Sequence, residues 1–406
     1  MKNSHITFLK SVLKLYCVEK VTLNRYKIAR IQRIDAKKIV IYISPSDFNL
    51  VTDKRIVADK VDYLKSLLQE AGLTPVYLVR ESLNSSEAIP LTFLFKTKSI
   101  LKPTLRINIL AGMYLTRALS KFINRFARKE LKISKNLLSN FLVTSLEQSI
   151  KVLSPQSILT IGATQELLFV GKRLGIPVVE IMHGVIHEEG IKQMWQGEKR
   201  LKPDLVITWH EHYTNMLAKN ELRAVSLGYP SKPVERKEMQ EVGCIKILVT
   251  LGHSHPESAD PYGILDRQLM NQVLKIVNGN VKLRFRMHPV IDSDKLINKK
   301  MTNWLNKAFS NPDIHSPREK SLWESLNGVD LHLSKSSSTF FEAGLLNIPT
   351  IFTDNIEKLE LPEEVLKSGI VCQGGNLEWN DLNEILQYEF VTNFRFINKQ
   401  EFLDLF

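Results

Sequence analysis

With 406 residues, 44% of them hydrophobic and 24% charged, the chain has a globular composition but is too long for one ordinary core, so two domains are expected. Its three cysteines (Cys17, Cys244, Cys372) are scattered without paired spacing, which argues against a disulfide framework or a zinc site and fits a reducing compartment. The net charge of +12 is uneven: residues 1–150 carry 26 Lys and Arg against 11 Asp and Glu, and the remainder carries 29 against 32.

The N-terminal "MKNSHITFLKSVLKLYCVEK" has lysines interrupting its apolar positions, unlike a secretory signal, and no run of about 18 apolar residues follows. A cytoplasmic protein is therefore expected. The basic first half suggests an anionic partner such as lipid headgroups, a polyanionic acceptor or nucleic acid, against the plainer reading of a solvated basic surface. Few aromatics accompany those basic residues and no nucleic-acid motif appears, so no nucleic-acid partner is expected.

In chain order, "KKIVIYIS" (37–44), "TPVYLVR" (74–80), "SILTIG" (157–162), "IPVVEIMHG" (176–184), "PDLVITWH" (203–210) and "RAVSLGYP" (223–230) read as strands. Between 108 and 153 the pattern predicts a basic helical stretch whose cationic face suits a membrane surface. Residues 228–243, rich in charge and carrying two prolines and two glycines, read as an interdomain linker. Beyond it, "IKILVTLG", "VKLRFRMHP", "DLHLSKSSS" and "IPTIFTDN" are predicted strands. They alternate with predicted helices over "YGILDRQLMNQVLKIV", "DSDKLINKKMTNWLNKAF", "SLWESLNGV" and "TFFEAGLLN". Short strands alternating with helices imply βαβ units and parallel sheets. The expected organisation is two Rossmann-like domains facing across a cleft. The first spans 1–230 with the basic helical insertion, 231–242 is the linker, 243–385 forms the second, and 386–406 is a tail. A cleft between such domains is the usual place for a small-molecule site.

Chemistry-bearing residues fall at the carboxyl ends of these strands, where open α/β sheets bind ligands. "FRMHPV" (285–290) must end its strand at Pro289, which leaves His288 on the edge and Arg286 on the same face two residues earlier, where it supplies permanent positive charge for a phosphate or merely pairs with an acid. "SKSSSTFFEAG" crowds Ser336, Ser337, Ser338 and Thr339 where a helix begins. One hydroxyl suffices for a cap, so the run also reads as a phosphate cradle, with Glu342 placed for the helix dipole or for ribose hydroxyls. "EIMHGVIHEEG" supplies His183 before a glycine, then His187, Glu188 and Glu189 as candidate bases; the plainer alternative is a tight turn with solvated acids. "LGHSHPESAD" places Gly252, His253 and His255 in a loop; two histidines without a supporting carboxylate or cysteine pattern do not make a closed metal site, so a cleft-lining loop is preferred. Neither a Gly-rich dinucleotide fingerprint nor a Walker loop is complete, which argues against a dehydrogenase or an ATPase.

"HGVI", "KPDLVITWHEHY", "LGYP", "RMHP" and "SSSTFFEAGLLNIPT", in this order over about residues 157–355, resemble bacterial surface-polysaccharide glycosyltransferases of the GT-B fold. The likeness extends to capsule and lipooligosaccharide enzymes, to bacterial sialyltransferases with HP and SS motifs, and to CDP-glycerol glycerophosphotransferases. It implies an α/β enzyme with no bound metal or other cofactor. It also implies a nucleotide-sugar donor, with a CMP-sugar favoured, and a glycan or lipid-linked acceptor at the inner face of the membrane. By the same resemblance His288 contacts the donor phosphate with Ser337, Ser338 and Thr339, Glu342 holds the ribose, and His183 is the general base. Met182 stands where the family's polymerases carry an aromatic residue, and Glu188-Glu189-Gly190 carries the letters of an acidic motif in an unusual place, so the base stays open among His183, Glu188 and Glu189. Two alternatives remain: a nucleotide-sugar epimerase, which needs no acceptor, and a CDP-polyol phosphotransferase.

Overall fold

The computed structural model describes residues 37–43, 50–51, 55–56, 59–79, 89–90, 143–144, 146–195, 200–236, 244–251, 281–289, 295–309, 311–317, 319–334, 337–352, 356–368, 371–373 and 393–406. Gly252, His253, His255, Ser336, the helix read at 262–277 and most of the basic stretch at 108–153 lie outside them.

In chain order the strands are β1 (Lys38–Ile43), β2 (Leu50–Val51), β3 (Arg55–Ile56), β4 (Thr74–Val79), β5 (Ile89–Pro90), β6 (Ser157–Ile161), β7 (Val178–Ile181), β8 (Leu205–Thr208) and β9 (Ala224–Ser226). After residue 244 come β10 (Ile245–Thr250), β11 (Val281–Arg286), β12 (Asp313–His315), β13 (Leu331–Ser334), β14 (Thr350–Phe352) and β15 (Val371–Gln373). They form a seven-stranded sheet in the order β5-β4-β1-β6-β7-β8-β9 and a six-stranded sheet in the order β12-β11-β10-β13-β14-β15, with β2 and β3 pairing as a small antiparallel ribbon. The ladders β1·β4, β1·β6, β4·β5 and β8·β9 are parallel, as are all those of the second sheet. Strand order reverses between β1 and β6 in the first sheet and between β10 and β13 in the second. Such switch points open a crevice at the strands' carboxyl ends.

Burial explains the strands. SILTI of β6, VVEI of β7, LVIT of β8 and LHLS of β13 are buried at every position, as expected when helices cover both faces of a parallel sheet. The helices carry their own punctuation. α1 (Asp59–Glu70) precedes β4, and α2 (Gln165–Leu174) starts on a Thr164 cap and stops at Gly175 with φ 66°. α3 (Glu188–Trp195) and α4 (Glu211–Lys219) follow β7 and β8. α5 (Lys295–Ala308) follows β11. α6 (Leu322–Leu326) opens with a capping box between Ser321 and Glu324, and α7 (Phe340–Leu345) follows β13.

The chain divides into two compact units: residues 1–46, 68–180 and 199–204, and residues 47–67, 181–198 and 205–406. The first has a core of Val40, Tyr42, Leu78, Ile158 and Leu168. The second is built around Phe285, Leu305 and Leu333, and around Trp209, Tyr213, Tyr229, Phe340 and Phe341. Residues 394–398 of the second unit lie along the residues that follow β9: Tyr229 bridges Phe396 in parallel, and Tyr229 N–H donates to Arg395 O, Ile397 N–H to Tyr229 O and Asn398 N–H to Leu227 O. No helix among the described residues is long and apolar enough to cross a membrane.

Candidate functional site

The hydroxyl loop sits where β13 ends, at the switch point of the second sheet. Ser337 N–H donates to Ser334 Oγ at 3.1 Å, Ser337 Oγ donates to Thr339 Oγ1 at 2.9 Å, and Thr339 N–H donates back to Ser337 Oγ at 3.2 Å. Thr339 leads into α7 without capping it by its side chain. Beneath this loop His332 is fully buried, with Nε2 2.9 Å from Thr250 Oγ1 and Nδ1 2.9 Å from Thr350 Oγ1. Burial drives its pKa down to about 3, so the ring is a neutral tie across β10, β13 and β14.

His183 and Gly184 leave β7 at its carboxyl edge. Met182 N–H donates to Ile207 O of β8, and Met182, where the resemblance expects an aromatic, packs into the same core cluster as Trp209. Gly184 lies beside the hydroxyl loop: a Cβ on it would stand 3.8 Å from Ser338 Oγ. The structure thus brings the edge bearing His183 to Ser338. His183 is solvent-exposed, yet the surrounding protein lowers its pKa by desolvation, and the positive charge of Lys60 lowers it further.

Glu188 and Glu189 open α3 and are exposed. Glu188 N–H donates to Glu360 Oε2 at 2.8 Å, and Glu189 Oε1 accepts from Gln193 Nε2 at 3.2 Å. The histidines of "WHEHY" act on neighbouring segments. His210 Nδ1 caps α4 by accepting the His212 N–H, its Nε2 stands 3.2 Å from Glu364, and His212 Nε2 meets Glu360 O at 2.9 Å.

Glu342, on the first turn of α7, is only 4% exposed. Its Oε1 accepts the Tyr229 hydroxyl and lies 3.7 Å from Lys60 Nζ, while the buried Oε2 has no hydrogen-bond partner. The Lys60 ammonium stands over two rings, 4.2 Å from the Trp209 centroid and 4.6 Å from that of Tyr229. Lys60, Trp209 and Tyr229 were not singled out by the sequence reasoning. Tyr229 and Trp209 do lie inside "LGYP" and "KPDLVITWHEHY", the segments that carry the resemblance, but nothing around Lys60 marks it.

Arg286 ends β11 with its guanidinium buried: Nη1 donates to Lys320 O at 3.0 Å, Ser321 O at 3.1 Å and Ser325 Oγ at 2.6 Å. Ser325 Oγ also meets His315 Nδ1 at 3.0 Å, and burial is the main cause lowering the pKa of that imidazole to about 4. Half-buried His288 follows β11 at the carboxyl edge. Among the described residues no three His, Cys, Asp or Glu side chains gather as a metal would need.

No protein-family model matches the chain, and no curated protein matches it. Solved structures do. The S. aureus MnaA–UDP co-structure superposes with a TM-score of 0.51 at 15% identity, covering 86% of both chains. Methanocaldococcus jannaschii UDP-GlcNAc 2-epimerase, in complex with UDP-GlcNAc and UDP, gives 0.51 at 14% over 91% of this chain and 99% of that one. Neisseria meningitidis UDP-GlcNAc 2-epimerase bound to UDP-GlcNAc gives 0.50 at 13% over 86% and 90%. At such identities the likeness is one of fold, and with the two parallel sheets it makes this chain an α/β protein of the GT-B type.

Proposed function

We propose that the protein is a metal-independent glycosyltransferase that moves a sugar from a nucleotide-activated donor to a growing surface polysaccharide or lipid-linked glycan. The observation that carries this reading is the approach of the His183–Gly184 edge to Ser338 of the hydroxyl loop. A proton acceptor and a set of hydroxyl donors then stand side by side. In this mechanism the neutral His183 imidazole takes the proton of the acceptor hydroxyl as its oxygen attacks the anomeric carbon. The bond to the nucleotide phosphate breaks, and Ser337, Ser338, Thr339 and His288 stabilise the departing anion. The lowered pKa of His183 supports its role as acceptor, because a neutral ring is required at physiological pH.

The test uses the full chain with excess EDTA, a panel of UDP-, CDP- and CMP-sugars, and a lipid-linked or oligosaccharide acceptor. Transfer should survive EDTA, and His183→Ala should lose about a hundred- to ten-thousand-fold in turnover while keeping its affinity for the free nucleotide. A fully active His183→Ala moves the base to Glu188 or Glu189, and the corresponding alanine variants decide between them. The panel spans both bases because the resemblance through the HP and SS motifs favours cytidine, whereas the MnaA and Methanocaldococcus jannaschii structures are complexes with UDP or UDP-GlcNAc. Those neighbours also support a second reading, nucleotide-sugar epimerisation at the same site. Interconversion of UDP-sugars without any acceptor would establish it and retire the transferase.

A further inference from the structure

Arg286, read from the sequence as a source of permanent positive charge or as a partner for an acid, has its Nη1 on the 320–325 loop. The charge beside the strand edge that bears His183 belongs to Lys60. Because Met182 N–H bonds Ile207 O, the chains leaving β7 and β8 present His183 and Trp209 on one edge. The Lys60 ammonium stands over Trp209 at 4.2 Å and Tyr229 at 4.6 Å, with Glu342 Oε1 3.7 Å away. A lysine on a solvated surface spreads its charge over many rotamers. Two ring faces and a carboxylate hold this one at a defined point instead.

We propose that Lys60 is a positioning residue of this site: its caged ammonium keeps the accessible His183 imidazole in the neutral form that accepts a proton. The inference rests on the reading of His183 as the base. Among the described residues, Lys60 from α1, Glu342 from α7 and Tyr229 after β9 gather beside Trp209, and His187, Glu188 and Glu189 follow on the segment of His183 itself. Glu342, the one buried carboxylate of this set, has its Oε1 engaged by Tyr229 and Lys60, whereas Glu188 and Glu189 are exposed. Lys60 is the group among them that adds to the effect of burial on His183. A cation near an imidazole opposes its protonation, so removing the charge should make His183 easier to protonate.

The experiment is a histidine NMR titration of the full chain. It has ten histidines, and His183→Gln identifies the line of interest. In Lys60→Met and Lys60→Gln the His183 midpoint should move up toward the ordinary histidine range while the other lines stay in place. Lys60→Arg should keep it low. The acid limb of kcat/KM should move to higher pH in the two neutral variants, which lost packing alone would not produce. A His183 midpoint unmoved in both neutral variants overturns the proposal. So does the loss of fold in both with Lys60→Arg folded, since Lys60 would then be only the counter-charge of Glu342. If His183→Ala keeps full activity while the midpoints shift as expected, the functional reading fails and the electrostatic coupling stands.

Discussion

His332 offers a quantitative handle on the second sheet. It is fully buried between the hydroxyls of Thr250 and Thr350, and its folded-state pKa lies near 3 against about 6.5 for an unperturbed imidazole. A depressed folded value means that the unfolded chain binds the proton first. The contribution to stability is therefore complete above pH 6.5 and is lost as pH falls from there toward 3. At pH 5 the folded ring is still neutral, so the loss depends only on the unfolded state: 1.5 pH units at about 1.36 kcal/mol each, or about 2 kcal/mol. The assay is urea unfolding at pH 7.5 and pH 5 for the wild type and His332→Gln, which keeps an amide near the threonines but does not titrate. The variant should be less stable at both pH values, and its drop between them should be smaller than that of the wild type by about 2 kcal/mol. Subtracting the two chains cancels the parallel contribution of His315. Equal drops would refute the reasoning, because a ring that charges inside the fold cannot be sealed as described.

Gly228→Ala should cost about 2–4 kcal/mol in the same assay: φ is +95° there, and a Cβ would stand 2.6 Å from Arg395 O and 2.7 Å from Phe396 O. Arg286→Met should lower the urea midpoint by the equivalent of about 2–4 kcal/mol, since two carbonyls and the Ser325 hydroxyl lose the donor they share. An unchanged midpoint with weakened nucleotide binding would instead assign Arg286 to the donor site.

The long strands were legible because burial on both faces writes them as unbroken apolar runs, as in "SILTI" and "LVIT". The edge strands β12 and β15 were not. "DIH" is three residues, two of them polar, with its first position exposed, and it carries no period that separates it from a loop. Within the site, the serine run was visible because hydroxyl groups crowd one strand-to-helix junction. The cluster of Lys60, Trp209, Tyr229 and Glu342 was not, because it joins four segments far apart in sequence and each residue alone is ordinary. Alternation along β11 placed the Arg286 side chain on a face, but it could not reveal that the guanidinium reaches sideways to the carbonyls of residues 320 and 321. Sideways reach is a property of packing, which local periodicity does not encode.

The segment at 394–398 lies along residues 227–229, which continue the chain from β9, the outermost strand of the first sheet, and Arg395 Nη2 donates to Ser226 O across a separation of 169 residues. During synthesis that separation becomes a delay. At about 5–20 residues per second, a ribosome needs roughly 10–30 s to make the intervening chain. Through that interval Leu227 and Tyr229, just past β9, offer unpaired main-chain groups to any other strand, the usual starting point for aggregation. Slowing translation downstream of residue 226 should therefore lower the yield of native protein, and the loss should grow with the concentration of nascent chains.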